Sequence, residues 1–198
     1  MRRMPTLQTE HLTIRPFTLD DHIPFHHISE RCFGDGTHAD DRVALEAARR
    51  MHTWRVLNEE MLARLDQPPY GERAIVLGQT DTLIGAIGIV PYIDAFNVIP
   101  SLLSGLGEHT RVPQATAEVG LFWAIDPAHQ GQGYATEAAR AIINYLFTNM
   151  GLGHVIATTE FDNHVSQAVM RKLGMQLHRN ETGKPPWLQV VGLLARSS

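Results

Sequence analysis

Glu118-Val119-Gly120-Leu121-Phe122-Trp123-Ala124-Ile125-Asp126-Pro127-Ala128-His129-Gln130-Gly131-Gln132-Gly133-Tyr134-Ala135-Thr136-Glu137-Ala138 is the stretch on which the rest of the chain is organised. Val119 to Ile125 is a mostly apolar run with aromatic and β-branched residues, the length of a buried strand. Asp126-Pro127 stops it, because proline has no amide proton for a ladder. Gly131 and Gly133 come next, and an alanine-rich run then reads as helix. Strand, glycine turn and helix start together form a cup of free backbone N–H groups at a positive dipole end, which suits a phosphate.

Before this stretch, Leu12 to Pro16 reads as a strand. Thr18 with Asp21 reads as a capping box opening a helix to about Arg31, with Pro24 in its first turn. Phe33-Gly34-Asp35-Gly36 reads as a turn. Ala39 to Leu65 is predicted helical, with Val43, Ala47, Met51, Trp54, Leu57, Met61 and Leu65 as one stripe facing the core. Arg73 to Leu77 and Leu83 to Val90 form a hairpin about a short polar turn. Pro91 to Ala117 is a long connection, either a lid or substrate loop or a packing excursion. After the stretch, a helix is predicted from Gly133 or Tyr134 to about Asn149, with Gly151 as its C′ residue. The strand His154 to Phe161, the helix Asn163 to Leu173 and the strands Met175 to His178 and Trp187 to Leu194 complete the chain.

With 198 residues and 43% hydrophobic content, one globular domain covering 1–198 is expected. A net charge of −4 makes no case for nucleic acid or an anionic membrane as partner. No run approaches the ~18 apolar residues of a membrane span, and the basic start lacks a signal core. The single cysteine, Cys32, leaves no internal disulfide and fits a reducing cytoplasm. His22 and His26 have ligand-compatible helical spacing, near His27 and Cys32, but no H-E-x-x-H or cysteine pair accompanies them, so no metal is expected.

Three readings compete for the glycine turn. A P-loop needs Lys followed by Ser or Thr after its second glycine, and neither stands there. A dinucleotide fingerprint needs a third glycine, where Thr136 stands, and the remaining C-terminal residues are too few for a doubly wound sheet. The third reading covers the whole chain. Gln130 to Ala135 resembles the Q/R-x-x-G-x-G/A pyrophosphate loop of the GNAT acetyltransferase superfamily. Leu7 to Phe17 resembles the L-x-T-x-R-L-x-L-R opening of its RimJ/RimL-type branch, with His11 where arginine is usual. Glu118-Val119-Gly120 with Gln130 to Ala138 resembles that branch's E-I-G…G-x-G-Y-A-T-E-A core. Asn163 to Ser166 and Lys172 to Met175 resemble N-x-x-S…K-L-G-F.

The resemblance implies an α/β fold with a bent mixed sheet of six or seven strands and helices on both faces. It implies transfer of an acetyl group from acetyl-CoA directly to a primary amine: a protein N-terminus, an amino acid or a small amine. Gly131, Gln132, Gly133, Tyr134 and Ala135 would hold the pyrophosphate, with Gln130 as an added donor. Main-chain groups of Trp123 and Ile125, and the Asn163 side chain, would meet pantetheine, although Asn163 also suits a helix N-cap. Glu118 is the first candidate to take the amine proton, with Glu160 as alternative. Ser166 would protonate the departing thiolate, or else cap its helix. His109 could touch an acceptor, and the long loop carries only Asp94 and Glu108 as acids. A non-catalytic acyl-CoA-binding or regulatory module and a nucleotide-dependent oxidoreductase are the competing classes. Oligomeric state is not legible; exposed strand edges are compatible with a homodimer.

Overall fold

In the computed structural model, which describes residues 3–34, 41–102 and 115–196, the apolar runs pair into one mixed sheet of eight strands. These are β1 (Leu7–Gln8), β2 (Leu12–Arg15), β3 (Gly71–Leu77), β4 (Thr82–Asp94), β5 (Thr116–Ile125), β6 (His154–Thr159), β7 (Gln176–Arg179) and β8 (Val190–Ala195). Their order is β1-β2-β3-β4-β5-β6-β8-β7. Among the described residues the principal helices are α1 (His22–Phe33), α2 (Arg42–Arg64), α3 (Tyr134–Thr148) and α4 (His164–Lys172). The sheet has one strand more than the six or seven expected, because β1 is two residues long and too short to leave a periodic signal. Internal contacts group the chain into two compact units, Met1–Ile89 with Phe122–Ala141, and Val90–Leu121 with Ile142–Ser198.

In the first unit, β2, β3 and the first part of β4 pair antiparallel. Phe17, Phe25, Ala74, Val76 and Ala86 form a buried cluster, with Val56, Leu83 and Phe122 against it. The Phe17 and Phe25 rings lie 4.7 Å apart, and the Arg55 guanidinium sits over both, at 5.3 and 4.7 Å. The capping box forms, but it caps a 3-10 turn, Leu19–Asp21, and α1 starts only at His22. The Asp21 carboxylate accepts from the Thr18 amide at 2.8 Å and also from the Arg15 guanidinium at 2.7 and 2.9 Å, so the cap is anchored to β2.

The stripe expected to face the core does not. Val43, Met51, Trp54, Leu57 and Leu65 are each more than half exposed. The inward face of α2 is polar instead, apart from Val56 against the Phe17–Phe25 cluster. His52 Nε2 donates to the Thr18 carbonyl at 2.8 Å, Arg55 pairs with Glu72, and Glu59 accepts from Arg73 at 3.0 Å. Periodicity identifies a helix, but the side that turns inward is chosen by partners: His52, Arg55 and Glu59 each meet one where they lie. Of the expected start of this helix and of the turn before it, Asp35, Gly36, Ala39 and Asp40 lie outside the described residues.

In the second unit, β6 and β8 run antiparallel from His154↔Ala195 to Thr159↔Val190, and β7 extends them. Phe96, Ile99, Leu102, Ile156, Leu188, Val191 and Leu193 make the core, with Tyr92 and Val98 against it. Two boundaries differ from expectation. The fourth strand continues through Pro91 to Asp94, taking residues assigned to the long connection. The last strand begins at Val190, not Trp187; the exposed Trp187 indole instead donates to Asp94 Oδ2 at 2.8 Å. Gly151 comes after α3 at φ +73°, the left-handed geometry of a C′ glycine.

Candidate functional site

The first unit holds the strand end, the glycine turn and the start of α3. Asp126 fixes this corner. Its amide donates to Ile84 O at 2.8 Å, and its carboxylate accepts from Ala128 N at 3.2 Å, capping the 3-10 turn Pro127–His129. Arg31 at the end of α1 grips the same carboxylate with Nε at 3.1 Å and Nη2 at 2.6 Å. Arg31, opposed only in part by burial, holds the Asp126 carboxyl below the usual carboxylate range. A carboxyl with a depressed folded-state value stabilises the fold above its ordinary value, and that contribution is lost as pH falls through the depressed one. Arg31→Met is therefore expected to lower the melting temperature at neutral pH, with the gap from the parent closing below about pH 4. A gap that stays constant across that range would contradict the assignment.

Gln130 is exposed, but its amide nitrogen turns back to the chain. Its Nε2 donates to Ile125 O at 2.9 Å, and Cys32 Sγ points at the same oxygen from 3.4 Å. The Ile125 carbonyl, with two acceptor positions, is thus already engaged. Gly131 and Gly133 adopt φ +77° and +90°, where side chains other than hydrogen are strained, and no atom lies within 4 Å of where a Cβ would stand on either. The first bond of the helix is Glu137 N to Gly133 O at 3.0 Å. The amides from Gly131 to Thr136 therefore find no acceptor among the described residues. Amides left free at a helix start can receive an anion, the task expected of Gly131 to Ala135. Trp123 stands half-buried on β5 just before the corner. The Glu137 carboxylate accepts from His11 N at 2.9 Å and pairs with His11 Nδ1 at 3.0 Å. Burial pushes the Glu137 carboxyl up, but hydrogen bonds from Thr9 and His11 outweigh it and leave it lowered.

The second unit holds the other candidates. Parallel pairing of Gly120 with Ile156 sets Glu118 beside His154 on one face of β5 and β6. His154 Nε2 lies 2.6 Å from Glu118 Oε2, and the Thr116 hydroxyl donates to Glu118 Oε1 at 3.2 Å. The Glu118 partner raises the His154 imidazole above the ordinary histidine value, against the effect of burial. Two residues on, Gly120 carries the Tyr92 ring: a Cβ there would meet the ring at 2.2 Å. The Thr158 hydroxyl donates to Tyr92 Oη at 3.0 Å.

Asn163 caps α4, its Oδ1 accepting from Ser166 N at 3.0 Å. Ser166 is half-buried, and its hydroxyl takes part in no hydrogen bond among the described residues. The Glu160 side chain is exposed, while its carbonyl accepts from Gln167 at 3.1 Å. Glu108 and His109 lie outside the described residues. His22 is spent on the Leu19 carbonyl at 3.1 Å, and among the described residues no three His, Cys, Asp or Glu side chains are grouped to hold a metal ion. No described helix is long and apolar enough to cross a membrane. Sequence reasoning missed Arg31 and His154, whose partners lie far along the chain.

The family model described as "Acetyltransferase (GNAT) domain" matches residues 11–176. A Bacillus subtilis (strain 168) protein named "Uncharacterized N-acetyltransferase YnaD" is 37% identical over 102 residues, covering 52% of this chain and 48% of that one. The chain spans about half the length of the first curated relatives it matches. Among solved structures, an acetyltransferase from Agrobacterium tumefaciens str. C58 aligns with a TM-score of 0.63 at 23% identity, covering 98% of this chain and 95% of that one. A ribosomal-protein-S5-alanine acetyltransferase from Vibrio fischeri aligns with a TM-score of 0.62 at 14% identity, covering 98% and 96%. At such identities the two structures show a shared fold and nothing finer.

Proposed function

We propose, from the premise that this chain belongs to the acetyltransferase (GNAT) domain family, that residues 1–198 act as one N-acetyltransferase domain moving an acetyl group from acetyl-CoA to a primary amine. The observation that carries this reading is the glycine corner: amides at the start of α3 without an acceptor among the described residues, directly after a strand that ends on a clamped aspartate. Acetyl-CoA, as co-substrate, supplies an activated thioester. The amides of Gly131 to Ala135 bind its pyrophosphate. Trp123 offers main-chain groups to pantetheine. Ile125 is left with its amide for this task, since its carbonyl is engaged by Gln130 and Cys32. Gln130 uses one Nε2–H to shape the turn and keeps the other for phosphate.

The acceptor must lose a proton before its nitrogen can attack, and Glu118 supplies the negative charge for that step. A main-chain N–H of β5 stabilises the charge that develops on the thioester oxygen. The Ser166 hydroxyl, with no hydrogen-bond partner among the described residues, gives a proton to the departing thiolate. Asn163 spends its oxygen on the helix cap and keeps its amide nitrogen for pantetheine. The family resemblance supports protein N-termini, amino acids and small amines alike as acceptors, and the likeness to a ribosomal-protein acetyltransferase does not narrow that set. A cytoplasmic location fits this chemistry. The test is a thiol-release screen with acetyl-CoA over amines, amino acids and short peptides. CoA production that depends on one acceptor class is expected. Thermal stabilisation by acetyl-CoA without CoA release from any amine would instead favour a binding module.

A further inference from the structure

We propose that the acceptor's proton is taken by His154, with Glu118 orienting the imidazole and balancing the charge it gains. This rests on the acetyltransfer reading above and assigns the proton acceptor within it. Four observations carry it. The Glu118 side chain is 8% exposed and the His154 side chain 35%, so the imidazole is the member of the pair that an incoming amine can reach. Both Glu118 oxygens are engaged, one by Thr116 and one by His154. A bond from Nε2–H to the carboxylate fixes the tautomer whose lone pair is on Nδ1. Nδ1 has no hydrogen-bond partner among the described residues and is not among the buried polar atoms left without one, so it faces solvent.

The neighbouring strand β4 brings Asp94, whose carboxylate accepts from the Trp187 indole and the Ala95 amide, and Tyr92, whose hydroxyl accepts from Thr158. Glu118 is the one ionised side chain on β5. Arg196, just past β8, donates its amide to Gly153 O at 2.8 Å and its Nη1 to Phe147 O at 3.0 Å. Residues 95–102 and the last turns of α3, 142–148, carry no ionised group. The tie to Glu118 makes the imidazole a stronger base than free histidine.

In the transfer step an N–H bond of the ammonium breaks and its proton moves to Nδ1, giving an imidazolium beside the carboxylate. The freed nitrogen lone pair forms the C–N bond to the acetyl carbon, the C–S bond breaks, and the thiolate is protonated. The nitrogen loses a second proton, so one proton is released per acetyl group transferred.

His154→Gln is the test, because the glutamine amide can still donate to Glu118 but cannot accept a proton. The parent and the variant are assayed with two acceptors: an alkylamine, protonated at neutral pH, and an amine of low basicity, already neutral there. The expected result is a loss of roughly 10²-fold in kcat/KM for the alkylamine, a much smaller loss for the weakly basic amine, and an unchanged KM for acetyl-CoA. The rise of kcat/KM with pH that tracks imidazole titration is expected to vanish in the variant. Equal losses for both amines, or an unaltered pH profile, overturn the proposal while leaving acetyltransfer standing. A parent that releases no CoA with any amine removes the acetyltransfer reading and this proposal with it. NMR titration of the parent and of Glu118→Gln gives a check that needs no turnover: the His154 value should fall in the variant, and an unchanged value counts against the pair.

Discussion

Glu118→Gln is expected to lower kcat with an alkylamine acceptor by about 10²-fold or more, the scale of a positioned acid–base group, while the KM for acetyl-CoA stays within about twofold. The carboxylate is enclosed by Thr116 and His154, and glutamine fills the same space without its charge. An imidazolium formed during proton transfer would then have no counter-charge. The same change has a signature in stability. The His154 imidazole is raised above its ordinary value by Glu118. A cation with a raised folded-state value stabilises the fold fully below its unfolded value, about 6.5 for histidine. That stabilisation is lost as pH rises through the folded-state value. The parent should therefore melt above the variant at about pH 6 and converge with it in the alkaline range. Full turnover in the variant, with only the stability difference, would make Glu118 a strand-end acid and no part of the chemistry.

Gly133→Val is expected to raise the KM for acetyl-CoA by about tenfold. The residue sits at φ +90°, which a β-branched side chain does not tolerate. Holding a non-glycine residue there costs about 1–3 kcal/mol, and about 1.4 kcal/mol is a factor of ten in binding. No neighbouring atom stands within 4 Å of the added Cβ. The cost is thus conformational: the turn relaxes, and the amides of Tyr134 and Ala135 no longer converge. Because the loop can relax into open space, the melting temperature should fall only slightly, and kcat at saturating acetyl-CoA should be nearly unchanged. Steady-state titration of acetyl-CoA, with thermal melts alongside, separates these effects. A large drop in melting temperature at constant KM would place the glycine in fold maintenance alone.

What could be read in the sequence was what local physics decides. The glycine turn, the proline stop at Pro127 and the C′ glycine at Gly151 each arise from backbone demands within a few residues, and all three stand where expected. The boundaries of α3 and α4 were equally accessible, since alanine-rich and capped runs carry their own signals. What was lost depends on distant partners. The face of α2 that turns inward is set by Thr18, Glu72 and Arg73, which periodicity cannot see. Pro91 looked like a strand stop, but β4 passes through it. The His154–Glu118 pair joins residues 36 positions apart through one parallel register, and the Arg31–Asp126 clamp spans 95. Gln130 shows the same limit at short range: the loop motif does not announce the bond from its amide nitrogen to the preceding Ile125 carbonyl.

The central claim, direct acetyl transfer to an amine, is tested most directly by measuring both products at once. The full chain is incubated with acetyl-CoA labelled in its acetyl group and with the best acceptor from the thiol-release screen. Free CoA and acceptor mass are then measured over the same interval. One labelled N-acetyl amide per CoA released, with no label retained on the protein, is the expected result. CoA released without acetylated acceptor, or label that accumulates on the protein before reaching the amine, would contradict it.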